Sequence, residues 1–378
     1  MIRKQTTFVL GAGFSCEVGM PLGVALKDQI IAVLRRAISD EPGHALLLAL
    51  RTGNENANRS ACRTLIDALP LAVSIDNLVE HRSDDPALVH CAKVGIAAAI
   101  LQAESKSELR IIHPAQRSYQ SRTVRVRHSS DDEIVDAPRL SRAGQSSFFS
   151  IFQILMPGVP KSQLRDSLQS LSFINFNYDR CLEHFLYYAL QTHSSLSPTE
   201  AGELVDSIPI WHPYGTVGRL PWQRNTLGSA IDFGTVGDST DLVTAASQLR
   251  TFSEEIEESE SLSELRGAIS NAQRLVFLGL AWNEQNMRLL EPPEGLGQCA
   301  VHGTCYKTPP LDKGGVMPSI QEFAAPDIEA FADVLERWRL KALPKDAPGN
   351  IGTAPHPGFE VSTCHQLLAK YENLFRSR

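Results

Sequence analysis

The sequence predicts an α/β fold in which a mostly parallel sheet carries helices on both faces, with a helical insertion and a C-terminal helix added to it. Two observations lead to this prediction. Short apolar runs of strand length alternate with segments whose apolar residues recur at helical spacing. The first four of these runs end in glycine or in polar residues, and ligands of parallel sheets bind at the carboxyl ends of the strands.

The first βα unit lies close to the N-terminus, where apolar residues 7–10 enter a Gly-x-Gly turn and a helical pattern over 22–38 follows. The first glycine allows a tight turn, and the second lets backbone N–H groups approach a pyrophosphate. Cys16 stands where the usual fingerprint has its third glycine, so a tight structural turn is the alternative interpretation. We expect a Rossmann-like core whose cofactor contacts include Gly11, Ala12, Gly13, Phe14, Ser15 and Pro21.

Later segments repeat the alternation of strand and helix. Four further strands are predicted, at residues 171–176, 208–211, 274–278 and 300–306. Helical patterns follow the second strand, through residue 190, and the fourth strand, over 284–290. Asp179 stands where the helix after the second strand should have its N-cap.

The alternation divides the chain into a core and two additions. Residues 1–40 and 165–340 are predicted to form the core, and residues 41–164 a mainly helical insertion. The insertion includes an arginine-rich segment, 110–128, which we interpret as a solvated hairpin or loop, with a partner-docking or anion-contacting arm as the alternative. Residues 341–378 are predicted to be a linker and a C-terminal helix over 360–375, which folds back or mediates assembly.

Composition limits the classes of function. The chain has 378 residues and a net charge of −7, which gives it no electrostatic reason to bind nucleic acid or an anionic membrane. The longest apolar run, 94–101, is shorter than the roughly 20 residues that span a bilayer, and we expect a cytoplasmic protein. None of the seven cysteines forms a Cys-x-x-Cys pair, so no disulfide framework, zinc site or other metal site is expected.

Unusual residues follow four different strands: the glycine turn, Asn177 with Asp179, His212, and Gly279. The carboxyl ends of parallel strands share one edge, so we expect these residues to converge there. Taken singly, Asp179 is explained as a helix cap, Asn177 as a turn residue and His212 as an ordinary histidine. Their joint occurrence at successive strand ends favours a nucleotide site.

The same residues resemble the motifs of a known family. Gly11-Ala12-Gly13-Phe14-Ser15 with Gly19-Met20-Pro21 resembles the sirtuin signature Gly-Ala-Gly-x-Ser…Gly-Ile-Pro, and Asn177-Tyr178-Asp179 resembles the sirtuin Asn-Ile-Asp segment. His212 with Gly215 resembles the catalytic His-Gly, although Pro213-Tyr214 separates the two, and Gly279-Leu280-Ala281-Trp282 resembles the Gly-Thr-Ser strand end. The phrase Phe-Asn-Tyr-Asp-Arg at 176–180, without zinc cysteines, is similar to bacterial sirtuin-like proteins of anti-phage defence.

This resemblance implies an NAD+ glycohydrolase that releases nicotinamide and ADP-ribose, without zinc, and depletes NAD+ as a defence effector. Cleavage passes through an oxocarbenium-like state and needs charge stabilisation and a positioned water. Asp179 is then expected to hold the nicotinamide carboxamide, Asn177 to orient water or a ribose hydroxyl, and His212 to accept a proton. Phosphate contacts would come from the Gly11–Gly13 backbone and Ser15, and adenosine contacts from Gly279, Trp282 and Asn283.

The family also suggests partners and rival functions. A homo-oligomer and a HerA-type ATPase partner are implied. The alternatives are a non-catalytic subunit that binds NAD or ADP-ribose, a protein deacylase, and nucleic-acid processing within a complex. Residues 76–80 resemble a pocket-lining segment of the family, and a plain helix start at Ser74 is the other interpretation.

Overall fold

A computed structural model describes residues 4–39, 45–110, 146–224, 228–235, 238–250, 260–281, 284–304, 332–342, 358–360 and 364–376. The predictions for the arginine-rich segment beyond residue 110, for most of the linker, and for Trp282 and Asn283 lie outside these residues.

The core is a six-stranded sheet in which every neighbouring pair of strands is parallel. Its spatial order, β3-β2-β1-β4-β5-β6, is that of a doubly wound Rossmann sheet. Chain order reverses between β1 and β4, which makes their carboxyl ends the switch point where such sheets bind ligands. The strands are β1 (Thr6–Leu10), β2 (Leu171–Asn175), β3 (Ile210–Trp211), β4 (Arg274–Leu278), β5 (Ala300–Thr304) and β6 (Gly358–Glu360).

Helices cover the sheet and form the insertion, which confirms the predicted α/β fold. All five residues of β1, β2 and β4 are buried, as expected for central strands covered on both faces. Residues 332–341 are also helical. The other helices are α1 (Ala12–Ser15), α2 (Gly23–Ile38), α3 (Ala45–Leu50), α4 (Glu55–Ala68), α5 (Ile75–His81), α6 (Pro86–Lys106), α7 (Ser147–Leu155), α8 (Leu164–Leu168), α9 (Cys181–Ser194), α10 (Pro198–Asp206), α11 (Ser239–Ser247), α12 (Glu260–Ser270), α13 (Glu284–Leu290) and α14 (Cys364–Arg376).

The C-terminal region differs from its prediction. Gly358–Glu360 pairs in parallel with β5 as the sixth strand, and the last helix begins at Cys364 rather than at residue 360. Three residues are too few to show the alternation that identifies a strand, so only the pairing with β5 reveals β6. The helix packs back on the core, where the buried Cys364 thiol lies 3.9 Å from the Gly13 carbonyl oxygen.

The helix α6 lies at the centre of the insertion, with other helices packed around it. Within the described residues, α6 alone has the length and apolar composition to cross a membrane, and 67% of that stretch is buried inside the protein. Its neighbours include α2 and α4, and apolar residues occur all around it, as in a helix enclosed by others.

A buried ion pair joins the insertion to the core. Glu104 near the end of α6 meets the Arg180 guanidinium through two contacts, 3.1 Å from Nε and 2.6 Å from Nη2. Both side chains are almost fully buried, at 0% and 2% exposure. The guanidinium also donates to the carbonyl oxygens of Gly218, Ile231 and Asp232. The residue next to Asp179 is thereby fixed by α6 and the loop after β3.

Candidate functional site

The turns after β1 and β4 pack directly on each other. Gly11 N–H donates to the Leu278 carbonyl at 3.0 Å, Gly13 N–H donates to the Gly279 carbonyl at 2.9 Å, and Phe14 N–H returns to the Gly11 carbonyl at 2.9 Å. These three N–H groups are therefore used inside the protein. The phosphate contact predicted for this turn has to come from other groups or from a rearranged turn.

Glycine is required here by the close approach of the two backbones. A Cβ at Gly11 would lie 2.5 Å from Leu280 Cα, and one at Gly13 would lie 2.8 Å from Gly279 Cα. Gly279 has φ +64°, and its Cβ would lie 2.2 Å from Phe14 N. The Gly-x-Gly signal thus has a packing cause in addition to the phosphate role that the sequence predicts.

Asn177 and Asp179, which follow β2, meet Ser15 of the first turn. The Asn177 side-chain amide donates to the Gly11 carbonyl and to Ser15 Oγ, both at 3.0 Å. Ser15 Oγ donates in turn to Asp179 Oδ1 at 3.1 Å. All three side chains are buried, although more than 160 positions separate Ser15 from the other two. The predicted convergence of these three residues at the carboxyl edge is present.

Asp179 is a buried carboxyl whose pKa is raised to about 6. Burial is the main cause, and the charge of Glu104 adds to it. Hydrogen bonds from Cys181 N–H and Ser15 Oγ oppose the shift. The N-cap prediction is off by one residue, since α9 begins at Cys181 with Arg180 as its N-cap. Asp179 nevertheless accepts the first N–H of the helix at 3.1 Å.

His212 follows β3 and joins the same edge. Its Nδ1 lies 3.0 Å from the Asn177 carbonyl oxygen, and its Nε2 lies 2.7 Å from Glu183 Oε1. Burial is the largest single effect and disfavours the charged ring, but Glu183, the Asn177 carbonyl and Asp179 together outweigh it and raise the pKa of His212 above its ordinary value. A turn then closes from the His212 carbonyl to Gly215 N–H at 3.0 Å, where Gly215 has φ +69°.

Sequence reasoning missed Glu183. It lies in the first turn of α9, four residues after Asp179, and is 4% exposed. The short distance in sequence from Asp179 was the available signal. The helix that follows Asp179 starts at the carboxyl edge, so a residue in its first turn lies beside that edge. Buried glutamates are rare unless they are paired, so its position next to His212 marks it as part of the site.

A helix of the insertion also contacts the site. Asp76 of α5 accepts a hydrogen bond from the Tyr178 hydroxyl, and Glu80 accepts one from Gln285 of α13 at 3.1 Å. The helix start predicted at Ser74 is confirmed, since Ser74 caps α5 by accepting from Asn77 N–H at 3.0 Å. Residues 76–80 therefore lie beside the loop that holds Asn177 and Asp179, and beside the helix that follows β4.

Other predicted residues are placed differently. The Phe14 side chain is fully buried against Phe148, with ring centroids 4.2 Å apart, so only its backbone belongs to the turn. Pro21 is partly buried just before α2. A small pocket opens beside His212, lined also by Trp211, Pro213, Ser261, Leu262, Leu265 and Leu289. Its cavity volume of about 20 Å³ lies far below the roughly 300–1,000 Å³ typical of ligand pockets, so a dinucleotide would need a wider opening than this one.

The described residues include no group of three or more histidine, cysteine, aspartate or glutamate side chains that could hold a metal ion. The prediction that the protein works without zinc stays a prediction. No family model, curated protein or solved structure matches this chain. The resemblance to sirtuin-like proteins therefore depends on the motifs and on the site they form.

Proposed function

We propose that this chain is an NAD+ glycohydrolase that cleaves the nicotinamide–ribose bond to give nicotinamide and ADP-ribose. The observation that supports this most is the buried hydrogen-bonded chain from Asn177 through Ser15 to Asp179, with His212 beside it. It joins polar residues from the turns after β1, β2 and β3 next to the switch point, where a dinucleotide binds in this type of sheet.

The geometry suggests a role for each side chain. In the described part of the chain, both side-chain hydrogen bonds of Asn177 use Nδ2, so Oδ1 is the atom that can accept a bond from water or a ribose hydroxyl. Asp179 is ionised above pH about 6 and can hold the carboxamide or stabilise positive charge on the ribose. The nicotinamide leaving group is already cationic, so the site needs no general acid.

The biological setting is proposed from the family resemblance. A hydrolase that depletes NAD+ would harm its own cell if it were always active, so we propose a cytoplasmic anti-phage effector controlled by assembly. Its partners would be further copies of the chain and a HerA-type ATPase.

Nicotinamide release from NAD+ tests the proposal. The purified chain, alone and with a HerA-type ATPase as its proposed partner, should release nicotinamide, and Asn177→Ala and His212→Ala should each lose about 100-fold or more. Asn56→Ala on α4 and His193→Ala on α9 are matched controls. Both residues are exposed, Asn56 in the helical insertion and His193 in the last turn of α9, at the opposite end from Glu183. Full activity in either site variant would refute the site assignment.

A non-catalytic subunit that binds NAD or ADP-ribose is the second candidate. It is favoured by the hydrogen bonds already made within the site, since Asn177 Nδ2 and both ring nitrogens of His212 have protein partners. In that case NAD+ would bind to the purified chain, as measured by calorimetry, while no nicotinamide appeared with or without the ATPase.

A further inference from the structure

The two contacts of His212 determine where its protons are. A backbone carbonyl can only accept a hydrogen bond, so Nδ1, which lies 3.0 Å from the Asn177 oxygen, must carry a proton. A carboxylate also only accepts, so Nε2, which lies 2.7 Å from Glu183 Oε1, must carry one as well. With an ionised Glu183, the ring is an imidazolium and has no lone pair left to act as a base.

Burial of His212 and Glu183 together favours this protonation state. The side chains of His212 and Glu183 are 11% and 5% exposed, so water screens their attraction only weakly. Glu183 Oε2 is buried and has no hydrogen-bond partner among the described residues, so His212 is the group that compensates the carboxylate. Among the described residues, the charge of Asp179 also acts on the ring, and in the same direction.

We infer that Glu183 is a positioning residue that holds His212 as an imidazolium and so sets the pH above which His212 can act as a base. This inference rests on the proposed function for its catalytic consequence. Because Glu183 favours the protonated ring, the fraction of His212 with a lone pair on Nε2 rises only as the pH passes the raised pKa. That nitrogen can take a proton from water or a ribose hydroxyl once it has turned away from Glu183.

A titration of His212 tests the inference without any assay of activity. Carbon-13 labelling of the histidine ring allows an NMR titration of the whole chain, with His212→Asn used to assign the signal. In the wild type the midpoint should lie above the ordinary value of 6.5. In Glu183→Gln it should fall by about 1 pH unit or more, because an adjacent opposite charge shifts a pKa by that amount. Glu203→Gln, an exposed change of the same charge on α10, should leave the midpoint unchanged.

The two hypotheses fail in different ways. A wild-type midpoint at or below 6.5, or an unchanged midpoint in a folded Glu183→Gln, overturns the role of Glu183 whether or not NAD+ is hydrolysed. If the variant does not fold, a wild-type midpoint above 6.5 supports the imidazolium, and one at or below 6.5 overturns the inference. Absence of nicotinamide release together with a raised midpoint refutes the proposed function and leaves the protonation state standing.

If the wild type is active, its pH–rate profile gives the second readout. The acid limb should move to lower pH in Glu183→Gln by about the same 1 unit as the NMR midpoint, with a lower plateau because the ring is less well oriented. A merely structural role would lower the plateau and leave the limb in place, which would contradict the inference.

Discussion

At the junction of β1 and β4, the carboxyl edge of the sheet is held by backbone packed on backbone, whereas between β1, β2 and β3 it is held by buried polar side chains. The first region consists of Gly11, Gly13 and Gly279, whose backbones approach too closely for any Cβ. The second contains Asn177 and Asp179, linked through Ser15, and His212, which contacts the Asn177 carbonyl and Glu183. Apart from Glu183, the residues of both regions were predicted from motifs, yet the physical causes of the two regions differ.

The difference separates residues required by the fold from residues that the fold merely tolerates. The glycines of the junction have an evident packing role, and their substitution should harm the fold whether or not a ligand binds. Asp179 and Glu183 are acidic groups removed from water, which costs free energy. Such groups are expected where chemistry needs them, and the polar region is therefore the better guide to function.

Substitution in the glycine junction should give the largest effect. Gly279→Ala places a Cβ 2.2 Å from Phe14 N at a residue with φ +64°. Overpacking and left-handed strain together should cost about 5 kcal/mol or prevent folding. Gly267→Ala is the matched control, because Gly267 lies within α12 with no atom within 4 Å of the new Cβ, and should stabilise by about 1 kcal/mol.

Urea denaturation of both glycine variants measures these changes. Equal stabilities for Gly279→Ala and Gly267→Ala would show that the two turns can separate at little cost. The glycine junction would then be a mobile element, and the proposed contrast with the polar region would fail.

The ion pair that supports the polar region should give the next largest effect. Glu104→Gln leaves the buried Arg180 guanidinium without its counter-charge and should destabilise by about 3–5 kcal/mol. Glu284→Gln breaks an exposed pair with Arg288, in which the two side chains are 79% and 69% exposed, and should cost less than about 0.5 kcal/mol. Thermal unfolding at pH 7.5 compares the two variants, and similar losses would mean that the buried pair gives the polar region no special support.

The first five strands of the core were predictable because each one coincides with an apolar run in the sequence or is followed by a distinctive residue. β1, β2 and β4 were found within one residue of their ends by this signal. β6 could not be found, since three residues between the linker and α14 show no period, and its position is decided only by pairing with β5. The sequence therefore predicts the sheet well where strands are buried and poorly at the edge.

The site could be predicted as a set of positions but not as a set of contacts. Asn177, Asp179 and His212 were found by their places after strands, and the structure brings them together with Ser15. Glu183 was missed because it lies within a helix, where a glutamate has many ordinary explanations. The partners of Arg180 and Tyr178, Glu104 and Asp76, are supplied by the helical insertion, and no local pattern relates residues so far apart.

Neutralising Asp179 should change the stability less than the substitutions of Gly279 and Glu104, and it should stabilise the protein rather than destabilise it. The pKa of Asp179 in the folded chain is about 6, above the ordinary 3.8, so between these values the folded chain binds more protons than the unfolded chain. Stability from this group therefore falls as the pH rises from about 4 to about 6 and stays low above that. Asp179→Asn removes the charge, keeps the Oδ1 acceptor, and should stabilise by up to about 3 kcal/mol at pH 8.

The pH dependence of that gain is the sharper measurement. Urea denaturation at pH 8 and at pH 4 should show the advantage of Asp179→Asn shrinking towards zero at the lower pH, where Asp179 is protonated in the folded chain. Nicotinamide release measured on the same variant should be lost. A variant that is more stable and inactive would mean that the ionised carboxylate is kept at a cost to folding, as expected of a functional group. An equally stable or weaker variant at pH 8 would place Asp179 with the junction glycines, as a residue that the fold itself requires.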